Sequence, residues 1–313
     1  MIGDCNPDVL VLGGDITPAF GQHEKLADSI TLAIGGSAAI TAVAAARLGV
    51  RVALAAAIGD DAAGAFMLGQ LASEGVDTSA VVVRPGQPTG MTVALSRGGD
   101  RAILTATGAM TTLTAGDVPA SMIAAARHVH VSSYFLVQPS LGPGLAGLLA
   151  AARRNGARTS LDTNWDPAGR WGGEWLPGIL GQTDLLLPNE AEALHLAGQQ
   201  NLDAAVTALA GPGRAVVVKL GARGALCVTG AARYRAEPPP AEPADTTGAG
   251  DCFNAGLIAG LLGGLGLAEA AALGCAVGSA STTAPGGTAA CPGMPAAQAM
   301  ARAVTVREAE PGG

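Results

Sequence analysis

Aromatic side chains are scarce in this sequence. Phe, Trp and Tyr make up 3% of its 313 residues, so the core has to be built from small side chains on closely spaced helices. Charge is scarce too, with 14% Asp, Glu, Lys and Arg and a formal net charge of −7. A polyanion binder needs a clustered basic face. Lys25 and Lys219 are the only lysines, so neither a nucleic acid nor an anionic membrane surface is an expected partner. Neither lysine follows a glycine, which excludes the GxxxxGK[ST] phosphate loop, and the HRD and DFG strings of protein kinases are missing. The cysteines, Cys5, Cys227, Cys252, Cys275 and Cys291, are odd in number, well separated and without a CxxC. No signal-peptide pattern opens the chain, so free thiols in a reducing cytoplasm are expected. The uncharged stretch from Cys252 to Ala268 is about a turn short of a membrane span. Asn254 and several glycines interrupt it, and it reads as a buried helix.

What is abundant is Ala and Gly, inside a hydrophobic fraction of 49%. The length suits one large α/β domain or two smaller ones, and roughly 75% of the unfolded surface can be buried at this size. Met1 and Ile2 read as the end of a strand. Val9 to Leu12 and Ser29 to Ile34 read as strands, and Ser37 to Leu48 as an Ala-rich helix closed by Gly49. Val52 to Ile58 is apolar throughout, as a strand buried on both faces is. Gly59-Asp60-Asp61 turns into a helix ending near Gly75. Val81 to Val83, Thr89 to Ser96 and Arg101 to Thr107 alternate like exposed antiparallel strands, with Gly98-Gly99-Asp100 as a hairpin turn. From about Ser121 helices alternate with strands at Val129 to Ser132, Thr159 to Asp162, Leu185 to Leu187 and Ala215 to Lys219. That rhythm predicts a parallel sheet with crossovers. The strands at about 9–34 and 81–107 fall outside it and predict a small sheet covering the main one.

Two patterns read better as structure than as sites. Gly142-Pro143-Gly144-Leu145-Ala146-Gly147 is a literal GxGxxG, but the strand before it ends near Ser133, and the dinucleotide fingerprint needs its glycine at the strand end. His128-Val129-His130 sets two imidazoles on one strand face without a third ligand nearby. Cys252, with no basic partner close in sequence, reads as a packed thiol.

The chemistry concentrates in Asp245-Thr246-Thr247-Gly248-Ala249-Gly250-Asp251-Cys252-Phe253-Asn254-Ala255-Gly256. Small residues at 248–250 leave bare amides at the start of a long helix, where the helix dipole favours anions. An acid immediately inside that turn is placed to remove a proton from an attacking hydroxyl. Read locally, the same string also fits a Gly-rich loop with an Asp cap.

This segment resembles the C-terminal motif of ribokinase-like (PfkB) carbohydrate kinases, and the resemblance runs along nearly the whole chain. Gly3-Asp4-Cys5-Asn6-Pro7-Asp8 is similar to that family's first loop. Gly35-Gly36 followed by Ala44-Ala45-Ala46-Arg47-Leu48-Gly49 is similar to its N-terminal motif. Gly59-Asp60-Asp61 with Gly64, and then Gly75-Val76-Asp77, match its next helix. Asn189-Glu190-Ala191-Glu192 resembles its N-x-x-E motif, and Lys219-Leu220-Gly221 with Gly224 its nucleotide-binding strand end. The resemblance implies a single three-layer α/β/α domain over residues 1–313 with a mostly parallel sheet and a β lid. It implies ATP-dependent transfer of the γ-phosphoryl group to a hydroxyl of a sugar or sugar derivative.

By the same resemblance Asp251 is the catalytic base and the amides of Gly248, Ala249 and Gly250 form the anion hole. Asn189 and Glu192 position Mg2+ through waters, and Lys219, Gly221 and Gly224 line the nucleotide. Asn6, Asp8, Gly35, Gly36 and Asn164 hold the acceptor. Asp245 and the Thr247 carbonyl either bind a monovalent cation such as K+ or simply close a turn. Two positions depart from the family pattern. Ile40 stands where many sugar kinases carry Asn, which removes a bond to ribose-like acceptors. Asp166 stands where an Arg is frequent, which argues against an acidic or phosphorylated sugar. A nucleoside kinase with Ile40 against the base, a sugar-binding regulator without turnover and a nucleotide-binding module stay as alternatives. A homodimer through the lid is expected.

Overall fold

The structure, a computed structural model, describes residues 1–97, 100–230 and 232–310. The first part of the chain runs β1 (Asn6–Leu12), β2 (Ser29–Gly35), α1 (Ser37–Arg47), β3 (Ala53–Gly59) and α2 (Ala62–Ser73). Then come β4 (Asp77–Arg84), β5 (Met91–Arg97) and β6 (Asp100–Ala106). The next part alternates α3 (Ala120–Ala125), β7 (His128–Val131), α4 (Tyr134–Arg154), β8 (Arg158–Leu161), α5 (Leu176–Leu180) and β9 (Leu185–Leu186). It continues through α6 (Glu190–Ala197), α7 (Leu202–Leu209) and β10 (Ala215–Lys219). The chain ends with β11 (Ala225–Thr229), β12 (Ala232–Glu237), α8 (Ala249–Leu262), α9 (Leu267–Ser281), α10 (Met294–Ala301) and β13 (Thr305–Glu308).

The main sheet has the order β13-β12-β11-β10-β9-β8-β7. Strands β7 to β10 are parallel, as the helix–strand rhythm predicts. The antiparallel edge of β11, β12 and β13 was not visible in the sequence pattern, because β11 is only five residues long and β12 and β13 are largely polar. Ile2 bridges both Val131 of β7 and Ala55 of β3 in parallel, so the strand end at Met1 and Ile2 sits mid-sheet and joins the parallel pair β3–β4 to the rest. The segment Val81 to Val83, expected in the lid, belongs instead to β4, which runs parallel to β3 with Val81 opposite Ala56. The lid is the sheet β2-β1-β5-β6. There β1 is antiparallel to β2 and parallel to β5, and β5 is antiparallel to β6. The expected turn at Gly98 and Gly99 lies outside the described residues.

Helices cover both faces of the main sheet. On one face α4, α5 and α7 bury Leu141, Leu145, Leu149, Ile179 and Val206 against Val131, Leu161 and Val216. Truncating one of these leucines to Ala should cost about 2–5 kcal/mol. Among the described residues α4 is the one helix long and apolar enough to cross a membrane by length and composition. It is instead a core helix, interrupted by Pro139 and Pro143. Its glycines serve packing rather than a nucleotide: a Cβ on Gly142 would overlap the Trp175 ring. On the other face α1, α2 and α8 pack Val43, Met67, Leu71 and Ala255 against β3. Here the Gly and Ala content finds its use. A Cβ on Gly256 of α8 would stand 2.9 Å from the Gly274 Cα of α9, so the two helices touch backbone to backbone. The Cys252 to Ala268 stretch is accordingly the buried helix α8 with its connection to α9.

Candidate active site

The cleft forms where strand ends of the main sheet meet the lid. The helix α8 starts at Gly248, which is left-handed (φ 70°) and gives no side-chain cap. Ala249 N makes a long bond of 3.3 Å to the Thr246 carbonyl, and no side chain caps the amides that follow it in this turn, which leaves them for a bound anion. Gly248 cannot be replaced freely, because a Cβ there would stand 2.6 Å from the Gly287 Cα. Asp251 lies in this first turn and is buried. Burial, followed by the charge of Asp162, raises its pKa well above the usual carboxylate value, although Lys219 and a bond from Ser37 oppose the shift.

Lys219 ends β10 beside this turn. Its amine would lie 3.5 Å from a Cβ on Gly250, so it faces the anion-binding turn. It is paired with Asp162 at the end of β8, and Asn254 Nδ2 also donates to Asp162 Oδ2 at 2.6 Å. Burial works against the lysine's charge, but Asp162 and Glu192 outweigh it and raise its pKa. Asn254 Oδ1 is buried without a hydrogen-bond partner.

Asn189 and Glu192 form a capping box at the start of α6. Asn189 N donates to Glu192 Oε2 at 2.8 Å, Asn189 Nδ2 to Oε1 at 2.7 Å, and Glu192 N to Asn189 Oδ1 at 2.9 Å. Burial and Asp162 push the Glu192 pKa up to about 7. The two glycines after Lys219 differ. Around Gly221 a Cβ would meet nothing, whereas on Gly224 it would overlap the Ala236 carbonyl of β12. Gly221 therefore faces open space and Gly224 serves the β10–β11 turn.

Asp8 and Asn6 lie on β1. Asn6 Nδ2 donates to Asp8 Oδ1 at 3.0 Å and to Thr92 Oγ1 of β5 at 3.1 Å. Gly35 has to be glycine, since a Cβ would overlap the Asp8 carboxylate, and Gly36 (φ 81°) packs on the Asp4 carbonyl and Asn6 Oδ1. Asn164, left-handed at φ 54°, accepts from Ser133 N at 2.8 Å and donates to Ser37 Oγ at 2.8 Å. It thus ties the end of β8 to the start of α1. Ile40 is buried, and its methyl groups lie against Gly248 and Gly287, so it supports the anion-binding turn. Asp245 Oδ1 accepts from Thr247 N at 3.0 Å and from Thr247 Oγ1 at 2.8 Å, and Oδ2 accepts from Gly286 N at 2.9 Å. That makes it a turn clamp, whatever else it binds.

The sequence reading passed over Asp4, Thr92 and Asn254. Asp4 is buried and accepts from Ser37 N and Ala38 N at 3.0 Å each, and from Ser133 Oγ at 2.8 Å. It supplies the cap that Gly36 cannot give α1, and burial keeps its pKa raised. The one hint in the sequence was an acid in a Gly-Asp string after the first two residues. Asp166 is a turn clamp too, accepting from Ala168 N, Arg170 N and Trp171 N. His128 and His130 both bond Ser160 Oγ at 2.7 Å, and burial drives their pKa values down to about 3. They are neutral structural residues. No group of three or more potential metal ligands occurs among the described residues.

The chain is similar to known proteins along most of its length. The chain is 29% identical to 2-dehydro-3-deoxygluconokinase of Bacillus subtilis over 85% of each protein. It is 31% identical to ribokinase of Haemophilus influenzae over 82% of this chain and 83% of that one. The fructokinase structure of Vibrio cholerae with fructose, ADP and calcium ion superposes with a TM-score of 0.79 at 27% identity, covering 96% of this chain and 97% of that one. The family model of pfkB carbohydrate kinases matches residues 2–294. The chain therefore belongs to the pfkB family of carbohydrate kinases and is a phosphotransferase with an alcohol group as acceptor.

Proposed function

We propose that the protein transfers the γ-phosphoryl group of ATP to a hydroxyl of a free, neutral sugar or sugar derivative, with Asp251 as general base. The observation that carries this reading is the buried Asp251 in the first turn of an uncapped helix, beside the Lys219 amine. A carboxylate whose pKa is raised by burial and by Asp162 is a stronger base toward an acceptor hydroxyl than an exposed one. The proton goes to the Asp251 carboxylate as the hydroxyl oxygen attacks. The amides of Gly248, Ala249 and Gly250 and the Lys219 amine stand where negative charge on the transferred group would need them.

The donor set suits a nucleotide. Bare amides, a buried amine and the open backbone at Gly221 fit a triphosphate, and the Gly224 turn holds that strand end in place. ATP supplies the phosphoryl group. Mg2+ fits beside Asn189 and Glu192 through waters, because both side chains are already committed to each other. Asp245 and the Thr247 carbonyl are the candidate K+ ligands, and the three protein donors on Asp245 favour the turn-clamp role instead. On the acceptor side Asp8, held by Asn6, can accept two hydroxyl bonds, with Gly35, Gly36 and Asn164 completing the wall. Asp166 presents no cation to an acidic sugar. The motive for a nucleoside acceptor was Ile40 against the base, and the contacts of its methyl groups with Gly248 and Gly287 do not favour that reading. Exposed Ile30 and Leu32 on β2 and Ile103 and Leu104 on β6 support pairing of two lids in a homodimer. Free cysteines accord with a cytoplasmic location.

The test is a panel of sugars and nucleosides. Thermal shift is measured with a non-hydrolysable ATP analogue, since ligands of the native state raise its stability, and ADP release is measured with ATP. Asp251→Asn should keep the analogue's shift and lose about 10²–10⁴-fold in turnover. Turnover within threefold of the parent would remove Asp251 from the base role.

A further inference from the structure

Two thiols that are 39 residues apart in sequence meet directly behind the candidate base. Cys252 follows Asp251 in the first turn of α8, and Cys291 lies in the loop between α9 and α10. Their Sγ atoms are 2.9 Å apart. Both sulfurs also face the Gly287 carbonyl oxygen, Cys252 Sγ at 3.0 Å and Cys291 Sγ at 3.7 Å. The basic partner that the sequence did not reveal is Arg47. It pairs with Glu74 and donates to the Thr288 carbonyl three residues before Cys291. The bond with Cys252 and then the Arg47 charge lower the Cys291 pKa. Burial raises those of Cys5, Cys227 and Cys275. Cys291 keeps 9% of its surface exposed and Cys252 none. A small oxidant therefore meets Cys291 first, and Cys291 is the better thiolate.

We propose that Cys252 and Cys291 form a reversible dithiol–disulfide pair, closed by a peroxide and reopened by a thiol reductant, that controls the anion-binding turn. The Cys291 thiolate attacks one peroxide oxygen, the O–O bond breaks, and a sulfenic acid and hydroxide result. The Cys252 sulfur then attacks that sulfenic sulfur and gives up its proton, and the sulfenic hydroxyl leaves as water. In sum two thiols and one hydrogen peroxide give one disulfide and two waters, with two electrons passing from sulfur to oxygen. A reductant thiol reverses the step by exchange.

Closing the pair draws the sulfurs from 2.9 Å to about 2.0 Å. The surroundings have little slack. A Cβ on Gly287 would stand 2.8 Å from Ile40 Cδ1, and one on Gly248 would stand 2.6 Å from Gly287 Cα. Gly286 N is tied to Asp245 at 2.9 Å. Movement of the Cys291 loop is therefore passed to Gly248 and to the amides beside Asp251. A displacement of about 1 Å in a reacting constellation can cost about 10²-fold in rate. Disulfide formation stands on the thiol geometry alone, whereas its effect on phosphoryl transfer rests on the function proposed above.

The experiment treats the full chain with hydrogen peroxide and maps cysteines by peptide mass spectrometry without reduction. The expected result is a Cys252–Cys291 disulfide with the other three thiols free. Transfer from ATP to the acceptors of the panel (ribose, fructose, 2-dehydro-3-deoxygluconate) should fall about 10²-fold and return with dithiothreitol. Cys291→Ser should match the reduced parent and resist peroxide, with Cys291→Ala as the second variant if the first is poorly folded. A peroxide-treated chain without that crosslink overturns the proposal. So does a crosslinked chain of unchanged activity, or a Cys291→Ser chain inactivated like the parent. Should the reduced protein phosphorylate nothing, the kinase reading fails. The mass spectrum and the thermal shift with the ATP analogue still decide the switch, which needs that shift to shrink on oxidation.

Discussion

Around Asp251 the charges are buried against one another, while around Asp8 a single carboxylate lies on bare glycine backbone. Lys219, Asp162, Glu192 and Asp251 come from the ends of β10, β8 and the starts of α6 and α8, all parts of the main sheet and its helices. Asp162, after burial itself, raises Asp251 and Glu192, and Asp162 and Glu192 raise the lysine against its burial. Asp8 instead belongs to β1, a lid strand, and its contacts run to Asn6 on the same strand and, through it, to Thr92 on β5. The first region is fixed by electrostatics that no single substitution leaves balanced. The second rests on the packing of a few lid residues, with Gly35 against the Asp8 carboxylate and Gly36 against the Asp4 carbonyl. A family that keeps one reaction and varies its acceptor needs that division.

The largest effect should come from breaking the compensation around Asp251. Lys219→Met leaves the Asp162 carboxylate buried without its cation, with only the neutral donors Asn254 Nδ2 and Asn164 N bonded to it. Removing one partner of a buried pair costs about 3–5 kcal/mol. Lys219 is 13% exposed and Asp162 1% by side chain, so solvent offers little relief. Urea unfolding measures it, and Lys219→Met with Asp162→Asn should recover much of the loss. A single variant as stable as the parent would mean that the pair is not compensating a buried charge.

Next in size is the acceptor wall. Charge-assisted bonds are worth about 1.5–3 kcal/mol each. Asp8→Ala should therefore lower acceptor kcat/KM by about 10²-fold or more and leave the ATP KM nearly unchanged. It should cost less in unfolding than Lys219→Met, about 1–3 kcal/mol for the buried Asn6 bond that is lost. Harm confined to ATP binding would erase the contrast between the two regions.

The contrast also explains what could be read in advance. Gly248 to Asp251, Asn189 to Glu192 and Gly35-Gly36 are contiguous strings whose function is local, so the sequence displayed them. Partnerships that cross the chain were hidden. Asp4 reaches Ala38 across 34 residues, Asn6 reaches Thr92 across 86, and Asn254 reaches Asp162 across 92. The contacts of Ile40 with Gly248 and Gly287 were hidden in the same way. The parallel sheet was readable because its strands are apolar throughout and spaced by helices. Val81 to Val83 misled because half-buried residues at a sheet edge alternate like lid residues, and β12 and β13 carry too few apolar residues to stand out.

The smallest effect concerns Glu192, which sits at the border of the charged region. Burial and Asp162 raise its folded pKa to about 7 from the ordinary 4.5. Between those values the folded chain holds a proton that the unfolded chain has lost. Stability therefore falls as pH rises through that window and is steady above it. Glu192→Gln does not titrate, so its curve should lack this decline and gain on the parent between pH 4.5 and 7. A constant offset is expected as well, because the amide can no longer accept from both Asn189 N and Asn189 Nδ2, a loss of about 1 kcal/mol. Urea unfolding of both metal-free proteins across that range isolates the difference, since Asp251 titrates alike in each. In the assay the variant should need more Mg2+ for half-maximal rate. Parallel stability curves with an unchanged Mg2+ titration would show Glu192 to be a helix cap alone, and would move the boundary of the charged region inward to Lys219.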